Sequence, residues 1–296
     1  MLNTIFPVSG VEAPLWLPLL AGFLLSFFGS MAGISGAVLL LPFQMSVLGF
    51  TGPAVSPTNL IFNIVAIPSG VVRYLRERRL VAPLAWIIVA GTTPGVVFGE
   101  TLRFAWLPDP KRFKIFVASV LLAIAARQVL DLRRRRPKAE EGSGDWSVRT
   151  VTFNRRRLAY EFQGRTYQCS TPGILSFSFL VGMFGGIYGI GGGAIMAPFL
   201  VAIYDLPIHT VAGATLMGTF ITSVVGVLFA AASAPLWRHS GLAASPDWLL
   251  GCLFGAGGMC GMYLGARTQR YVSSFALNLL LSAILVAVAV LYLARP

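Results

Sequence analysis

The sequence predicts an all-α integral membrane protein made of two homologous four-segment repeats, with a small cytoplasmic insert between them. Three observations carry this expectation. The 296 residues are 56% hydrophobic and only 11% charged, and their mean hydropathy of +0.75 lies far outside the range of soluble domains. Uncharged stretches recur at lengths close to or beyond the ~20 residues that a helix needs to cross a bilayer core. The chain also matches itself: displaced by 156 residues, "FGSMAGISGAVLLLPF" (28–43) lies on "FGGIYGIGGGAIMAPF" (184–199) without a gap, with Phe, Gly, Gly, Ile, Gly, Pro and Phe coincident.

Eight segments follow, at roughly 14–48, 56–72, 84–102, 113–131, 172–204, 211–234, 247–266 and 273–294. The first and fifth hold about 33 residues, and at ~1.5 Å rise that overshoots a ~30 Å core unless the chain folds back. Each is therefore expected to be a broken helix or hairpin, interrupted by glycine and by Pro42 or Pro198. Two hairpins make the repeats inverted and two single crossings make them parallel; length favours the inverted arrangement. The second and sixth segments keep the 156-residue register, setting Asn59 over Thr215, Leu60 over Leu216, Asn63 over Thr219 and Gly70 over Gly226. Gly91, Gly95 and Gly99 then match Gly257, Gly261 and Gly265 at an offset of 166. Their four-residue spacing is that of close-packed membrane helices. The chain divides accordingly into an N-terminal transmembrane repeat (1–131), a basic insert (132–170) and a C-terminal transmembrane repeat (171–296).

The formal charge of +12 sits in clusters beside hydrophobic segments. That is the pattern of membrane orientation rather than of nucleic-acid binding. "RYLRERR" (73–79) and the run from Arg133 to Arg165 place both regions in the cytoplasm. No short apolar core ends at a small-residue cleavage site near the start, so no cleaved signal peptide is expected. Within the insert, "VRTVTF", "LAYEF" and "TYQCS" are rich in β-branched and aromatic residues and "QGR" offers a turn, which reads as a hairpin or three-stranded meander. Cys169, Cys252 and Cys260 are too few and scattered for a disulfide framework.

The stretch 184–199 holds six glycines in sixteen residues. Glycine costs a helix roughly 1 kcal/mol relative to alanine, so an unwound break is expected there. Unwound backbone at membrane depth persists only where protein or a hydrated cavity satisfies its polar groups. Successive glycine N–H groups leading into a helix near Ala194 form the arrangement that holds oxyanions. The matching stretch "GSMAGISG" adds the hydroxyls of Ser30 and Ser35. Asn59 and Asn63, and Thr215 and Thr219, are each four apart and share a helical face; each pair is expected to face its own break. The candidate substrate-binding set is therefore Gly33, Ser35, Gly36, Asn59, Asn63, Gly189, Gly191, Gly192, Gly193, Thr215 and Thr219.

Other chemistries lack their residues. "GIGGGA" (189–194) formally fits GxGxxA, but a dinucleotide site needs a strand before it and an acidic residue about twenty positions on. The lysines are Lys111, Lys114 and Lys138, so no GxxxxGK[ST] exists for ATP, and neither HExxH nor a Cys/His set exists for a metal. No catalytic residue, cofactor or metal is expected. Glu100, Arg103 and Arg127 lie toward segment ends, where they are expected to snorkel. If transport were proton-coupled, His209, Glu100 or the substrate itself would be the carrier.

Two copies of a glycine-rich break running into an apolar stretch and Pro, "GISGAVLLLPF" and "GIGGGAIMAPF", each ahead of a polar-striped helix, resemble the sulfite exporter TauE/SafE family over nearly the whole chain. The C-terminal copy is the closer fit. The resemblance implies a multi-pass inner-membrane permease, usually viewed as an exporter, for sulfur oxyanions or sulfonates such as sulfite or sulfoacetate. Members are also linked to other organic anions. The partners implied are a small anionic substrate and the lipid bilayer, with self-association left open. A passive anion channel, or a membrane enzyme or sensor whose insert recruits a partner, is the competing reading.

Overall fold

The computed structural model describes residues 4–31, 34–107, 109–134, 147–238 and 245–268, with residues 283, 286, 289 and 290. Gly33 and most of the expected eighth segment lie outside them. In chain order the described elements are β1 (Thr4–Ile5), β2 (Glu12–Ala13), α1 (Trp16–Met31), α2 (Ala37–Ser46), α3 (Val55–Arg76), α4 (Ala82–Trp106), α5 (Pro110–Arg134), β3 (Arg149–Phe153), β4 (Arg157–Phe162), β5 (Arg165–Ser170), α6 (Thr171–Tyr188), α7 (Met196–Tyr204), α8 (Ile208–Arg238) and α9 (Trp248–Thr268). Among them α3, α4, α6, α8 and α9 are long and apolar enough to cross a membrane. α5 fills the expected fourth segment as helix.

The two long segments are both broken, and both turn back. α7 retraces α6: the rings of Phe177 and Phe199 lie 5.4 Å apart, the Tyr204 hydroxyl closes on Gly173, and Gly192 closes on Gly185. α2 likewise starts against the end of α1, where a Cβ on Gly36 would lie 3.0 Å from Ser26. The turn is closed by Ile34 N–H donating to the Gly29 carbonyl at 3.1 Å, and 156 residues later by Ile190 N–H donating to the Gly185 carbonyl at 3.0 Å. Gly189 and Gly191 each have a φ of +79°. This left-handed backbone costs an L side chain roughly 1–2 kcal/mol and fixes glycine at those two points.

The halves interlock. α4 packs along α6 and α9 packs along α1, while α3 and α8 meet between them. The glycine stripes form the seams. Gly91, Gly95 and Gly99 rest on the carbonyls of Leu175, Phe179 and Met183 in α6, and Gly257, Gly261 and Gly265 rest on those of Leu19, Phe23 and Phe27 in α1. A Cβ on Gly91 would stand 2.5 Å from the Leu175 oxygen. The four-residue stripes are thus close-packing faces, as their spacing predicts. Lipid is as apolar as any side chain, so association here rests on such close contact and not on water exclusion.

Outside the bundle, β3–β4–β5 form an antiparallel meander. Asn154 turns the first hairpin, its Oδ1 accepting from the N–H groups of Arg156 at 2.9 Å and Arg157 at 2.7 Å. Gln163 and Gly164, with φ of +51° and +72°, turn the second, as a two-residue hairpin loop requires. Tyr160 and Thr210 share a hydrogen bond of 2.8 Å that fastens the sheet to α8. Val148 N–H donates to the Arg78 carbonyl at 2.9 Å, joining the sheet to the basic turn after α3. β5 runs directly into α6, whose first turn is capped by Ser170 Oγ accepting from Gly173 N–H. At the N-terminus the β1–β2 ribbon is held by Asp247. One oxygen of that buried carboxylate accepts from Val8 N–H, Ser9 N–H and the Ser9 hydroxyl, and the other accepts from Leu250 N–H to cap α9.

Candidate functional site

Both breaks meet in the middle of the bundle, and the polar residues of α3 and α8 stand between them. Asn59, Asn63 and Thr219 are fully buried, as are Thr222 and Ser223 one turn further along α8, while Ser35 and Thr215 retain 1% and 2% exposure. The asparagines do not serve their own break alone. Asn59 Nδ2 donates to the Ala37 carbonyl at 3.1 Å and, across the halves, to the Gly189 carbonyl at 2.8 Å. Asn63 Nδ2 donates to the Ile190 carbonyl at 2.9 Å and to Ser223 Oγ at 3.2 Å, while its Oδ1 accepts from the Ser35 hydroxyl at 2.7 Å. The α8 stripe faces its own break as expected, and the expectation is extended for α3, which touches its own break and also reaches into the break of the other half. The reason is the pairing of α3 with α8, which a register read along one chain does not reveal.

α8 lies against the second break through its hydroxyls. Gly192 N–H donates to Thr222 Oγ1 at 2.9 Å. A Cβ on Gly193 would sit 2.7 Å from Thr219 Oγ1, and one on Gly191 would sit 2.8 Å from Ser223 Oγ. The close approach explains glycine at both positions. Thr215 and Thr219 hydroxyls donate to the carbonyls of Ala212 and Thr215 within α8, so each keeps oxygen lone pairs for another donor.

The donors and acceptors of the break are divided by face. The carbonyls of Gly189 and Ile190 are taken by Asn59 and Asn63. Ala194 and Met196 N–H donate within the turn that starts α7, two residues later than the expected start at Ala194. Gly191 and Gly193 N–H have no partner among the described residues. Three side-chain atoms nearby are equally unengaged: Ser26 Oγ beside Gly36, Ser56 Oγ beside Gly189, and Gln44 Oε1, whose amide nitrogen donates to Asn59 Oδ1 at 3.3 Å. Buried polar groups are nearly always hydrogen-bonded, so this concentration of free donors, with the one free acceptor Gln44 Oε1, marks the breaks as chemically unfinished.

Some positions behave otherwise than expected. Ser30 turns away, its hydroxyl donating to the Phe27 carbonyl at 3.2 Å beside Gly265. Glu100 and Arg103 do not snorkel; they are 4% and 0% exposed, because they lie on the packed side of α4, while Phe98, Thr101 and Trp106 take its exposed side. Other site residues had no motif to announce them. Tyr188 donates its hydroxyl to the Val38 carbonyl at 2.9 Å. That carbonyl is the one Pro42 cannot serve, since proline has no N–H for the i−4 position. Thr92 of α4 stands against Gly192. The readable signal for Thr92 and Gln44 was only that each is a polar residue inside an uncharged membrane segment.

A family model described as Sulfite exporter TauE/SafE matches residues 18–292, nearly the whole chain. The chain belongs to the TauE/SafE family. Among curated proteins it is similar to the probable membrane transporter protein YunE of Bacillus subtilis (strain 168), 22% identical over 275 residues that cover 90% of this chain and 93% of that relative. No solved structure matches the chain significantly. TauE/SafE membership and the span-capable helices make this a multi-pass membrane transporter, not an enzyme.

Proposed function

We propose that the protein is a secondary carrier for small sulfur-containing oxyanions or sulfonates, sulfite-like, working in the export direction across the bacterial inner membrane. The anion binds between the halves at the N–H groups of Gly191 and Gly193, while Gly189 and Gly192 of the second break, Gly33, Ser35 and Gly36 of the first, and Asn59, Asn63, Thr215 and Thr219 form the walls that hold the breaks in position. The single observation that carries the reading is the pair of unpartnered N–H groups on Gly191 and Gly193, buried where α3, α4 and α8 converge. Donors without a full counter-charge suit a solute that must be released again.

The halves are read as inverted repeats, each a hairpin followed by three crossings. The reading is supported by the retraced α1–α2 and α6–α7 pairs and by the reciprocal seams of α4 on α6 and α9 on α1. Gly70 lies against Leu216 and Gly226 lies against Leu60, one contact repeated under exchange of the halves. Rocking one half against the other then alternates access to a midplane site. The domain division at 131 and 170 follows, with the insert and the 73–79 turn, joined through Val148 and Arg78, both cytoplasmic.

Sulfite-loaded proteoliposomes test this. Wild-type protein is expected to release sulfite with saturable kinetics, and Thr219→Val and Thr215→Val to lose most of the flux while remaining monodisperse. Unchanged flux in both variants would defeat the site assignment. Flux that follows voltage passively without saturation would replace the carrier with a channel.

A further inference from the structure

Glu100 has no role in the anion site, yet it is the polar group whose placement is hardest to explain by packing. It is 4% exposed inside a membrane-crossing helix, and neither carboxylate oxygen has a hydrogen-bond partner among the described residues. An ionisable side chain in that setting is costly to keep. Its neighbour across the interface is Gly226 of α8, where Oε1 occupies the space that a Cβ would fill.

Two helical faces connect this carboxylate to the second break. On α4, Thr92 touches Gly192, Val96 touches Gly186 and Glu100 touches Gly226; the spacing of four keeps all three on one face. On α8, Thr222 holds Gly192 N–H and Ser223 holds Asn63, and Gly226 follows one turn later on the same face. Charged groups elsewhere on the packed elements do not balance Glu100. Arg103, one turn on in α4, gives Nη1 to the Leu107 carbonyl and stacks over Phe113 at 3.7 Å, and its Nε and Nη2 have no partner among the described residues, so it is near Glu100 but not paired with it. On α6 the Tyr188 hydroxyl is bonded to Val38. Lys111 and Arg112 of α5 are exposed and Lys114 is half-buried. Arg73, Tyr74 and Arg76 lie at the far end of α3 from Leu60, and His209 and Arg238 lie at the two ends of α8. None forms an ion pair with Glu100 among the described residues.

We infer that Glu100 is a proton-binding site that couples proton movement to the anion bound at the breaks, a proposal that rests on the anion-carrier reading above. A proton taken from water on one side forms the neutral carboxyl. It travels with the anion through the conformational change and returns to water on the other side, so one proton and one negative charge move together. Protonation removes a like charge lying about one helical turn from the anion contacts, so each binding event favours the other reciprocally, by roughly 5- to 150-fold.

Infrared difference spectra of the protein in lipid, titrated with pH and without added anion, are expected to show a carboxyl C=O band that disappears on alkalinisation. The band is expected to be lost in Glu100→Gln and shifted in midpoint in Glu100→Asp. A band retained in Glu100→Gln, or one that never titrates in the wild type, overturns the proposal. In proteoliposomes at matched pH, after subtraction of protein-free vesicles, Glu100→Gln is expected to keep sulfite–sulfite exchange and lose sulfite accumulation driven by a pH gradient. Undiminished gradient-driven accumulation also overturns it. If the wild type moves no sulfite in either mode, the anion reading fails for sulfite, while the infrared result still decides Glu100.

Discussion

Replacing Asn63 with leucine removes the one side chain that touches both breaks and α8 while nearly conserving volume, so the cost is that of its hydrogen bonds. Three are lost, at 2.7, 2.9 and 3.2 Å. Among the described residues only Asn63 donates to the buried Ile190 carbonyl, and stranding such a group costs about 1–3 kcal/mol. The Ser35 and Ser223 hydroxyls can rotate to nearby carbonyls, so each adds only about 0.5 kcal/mol. The sum is roughly 2–4 kcal/mol; three average interhelical bonds in a membrane, at about 0.6 kcal/mol each, give a lower bound just under 2. Loss of the Ile190 anchor also lets the break drift, and a displacement of about 1 Å in a positioned site can cost on the order of 100-fold. Thermal unfolding of purified Asn63→Leu should therefore shift clearly downward, and sulfite flux in proteoliposomes should fall at least tenfold, by the same estimate. A variant with wild-type melting and wild-type flux would refute the idea that α3 holds the opposite break in place.

Gly95→Leu drives a side chain into the Phe179 carbonyl and should abolish a monodisperse peak in size-exclusion chromatography. Gly52→Ala, with nothing within 4 Å of the new Cβ, should behave as wild type. Asp247→Ala removes the α9 cap and three charge-assisted bonds to the N-terminal ribbon; about 2–4 kcal/mol of stability should go with them, read as a lower melting temperature. Burial pushes the Cys169 thiol up to about 11. Folded Cys169 stays neutral where an unfolded thiol, near 8.5, already ionises, so stability from this group is present below that value and declines as pH rises toward 11. Alkylation with iodoacetamide at pH 8 should spare Cys169 until the fold opens; rapid labelling of the native protein would contradict its burial.

Much of the architecture was legible because it depends on period and spacing. Residues 28–43 and 184–199 could be aligned by eye, and the need to fold 33 apolar residues into a thinner core predicted the retracing that Phe177 and Phe199 display. The glycine stripes at 91–99 and 257–265 announced close approach, but not to what. Their partners, α6 for one and α1 for the other, belong to the opposite half, and no one-dimensional pattern records which helix each stripe meets. For the same reason the sequence pattern places Asn59 and Asn63 beside their own break, which they touch, and does not show that they also hold the opposite one. Glu100 is near a helix end in sequence and still buried, because burial depends on which helices flank a residue and not on its distance from the segment end. Tyr188 and Pro42 are 146 positions apart, and their shared interest in the Val38 carbonyl exists only after folding.

The interlocked seams also constrain biogenesis. α1 is made first, yet its partner α9 begins at Trp248; at about 5–20 residues per second, the ribosome needs on the order of 10–40 s to supply it. Throughout that interval the backbone-exposing face of α1 must be tolerated in the bilayer or sheltered by the insertion machinery. A nascent chain stalled before residue 248 should therefore be a substrate for membrane quality control, and two fragments divided within the insert should mature only when synthesised in the same cell.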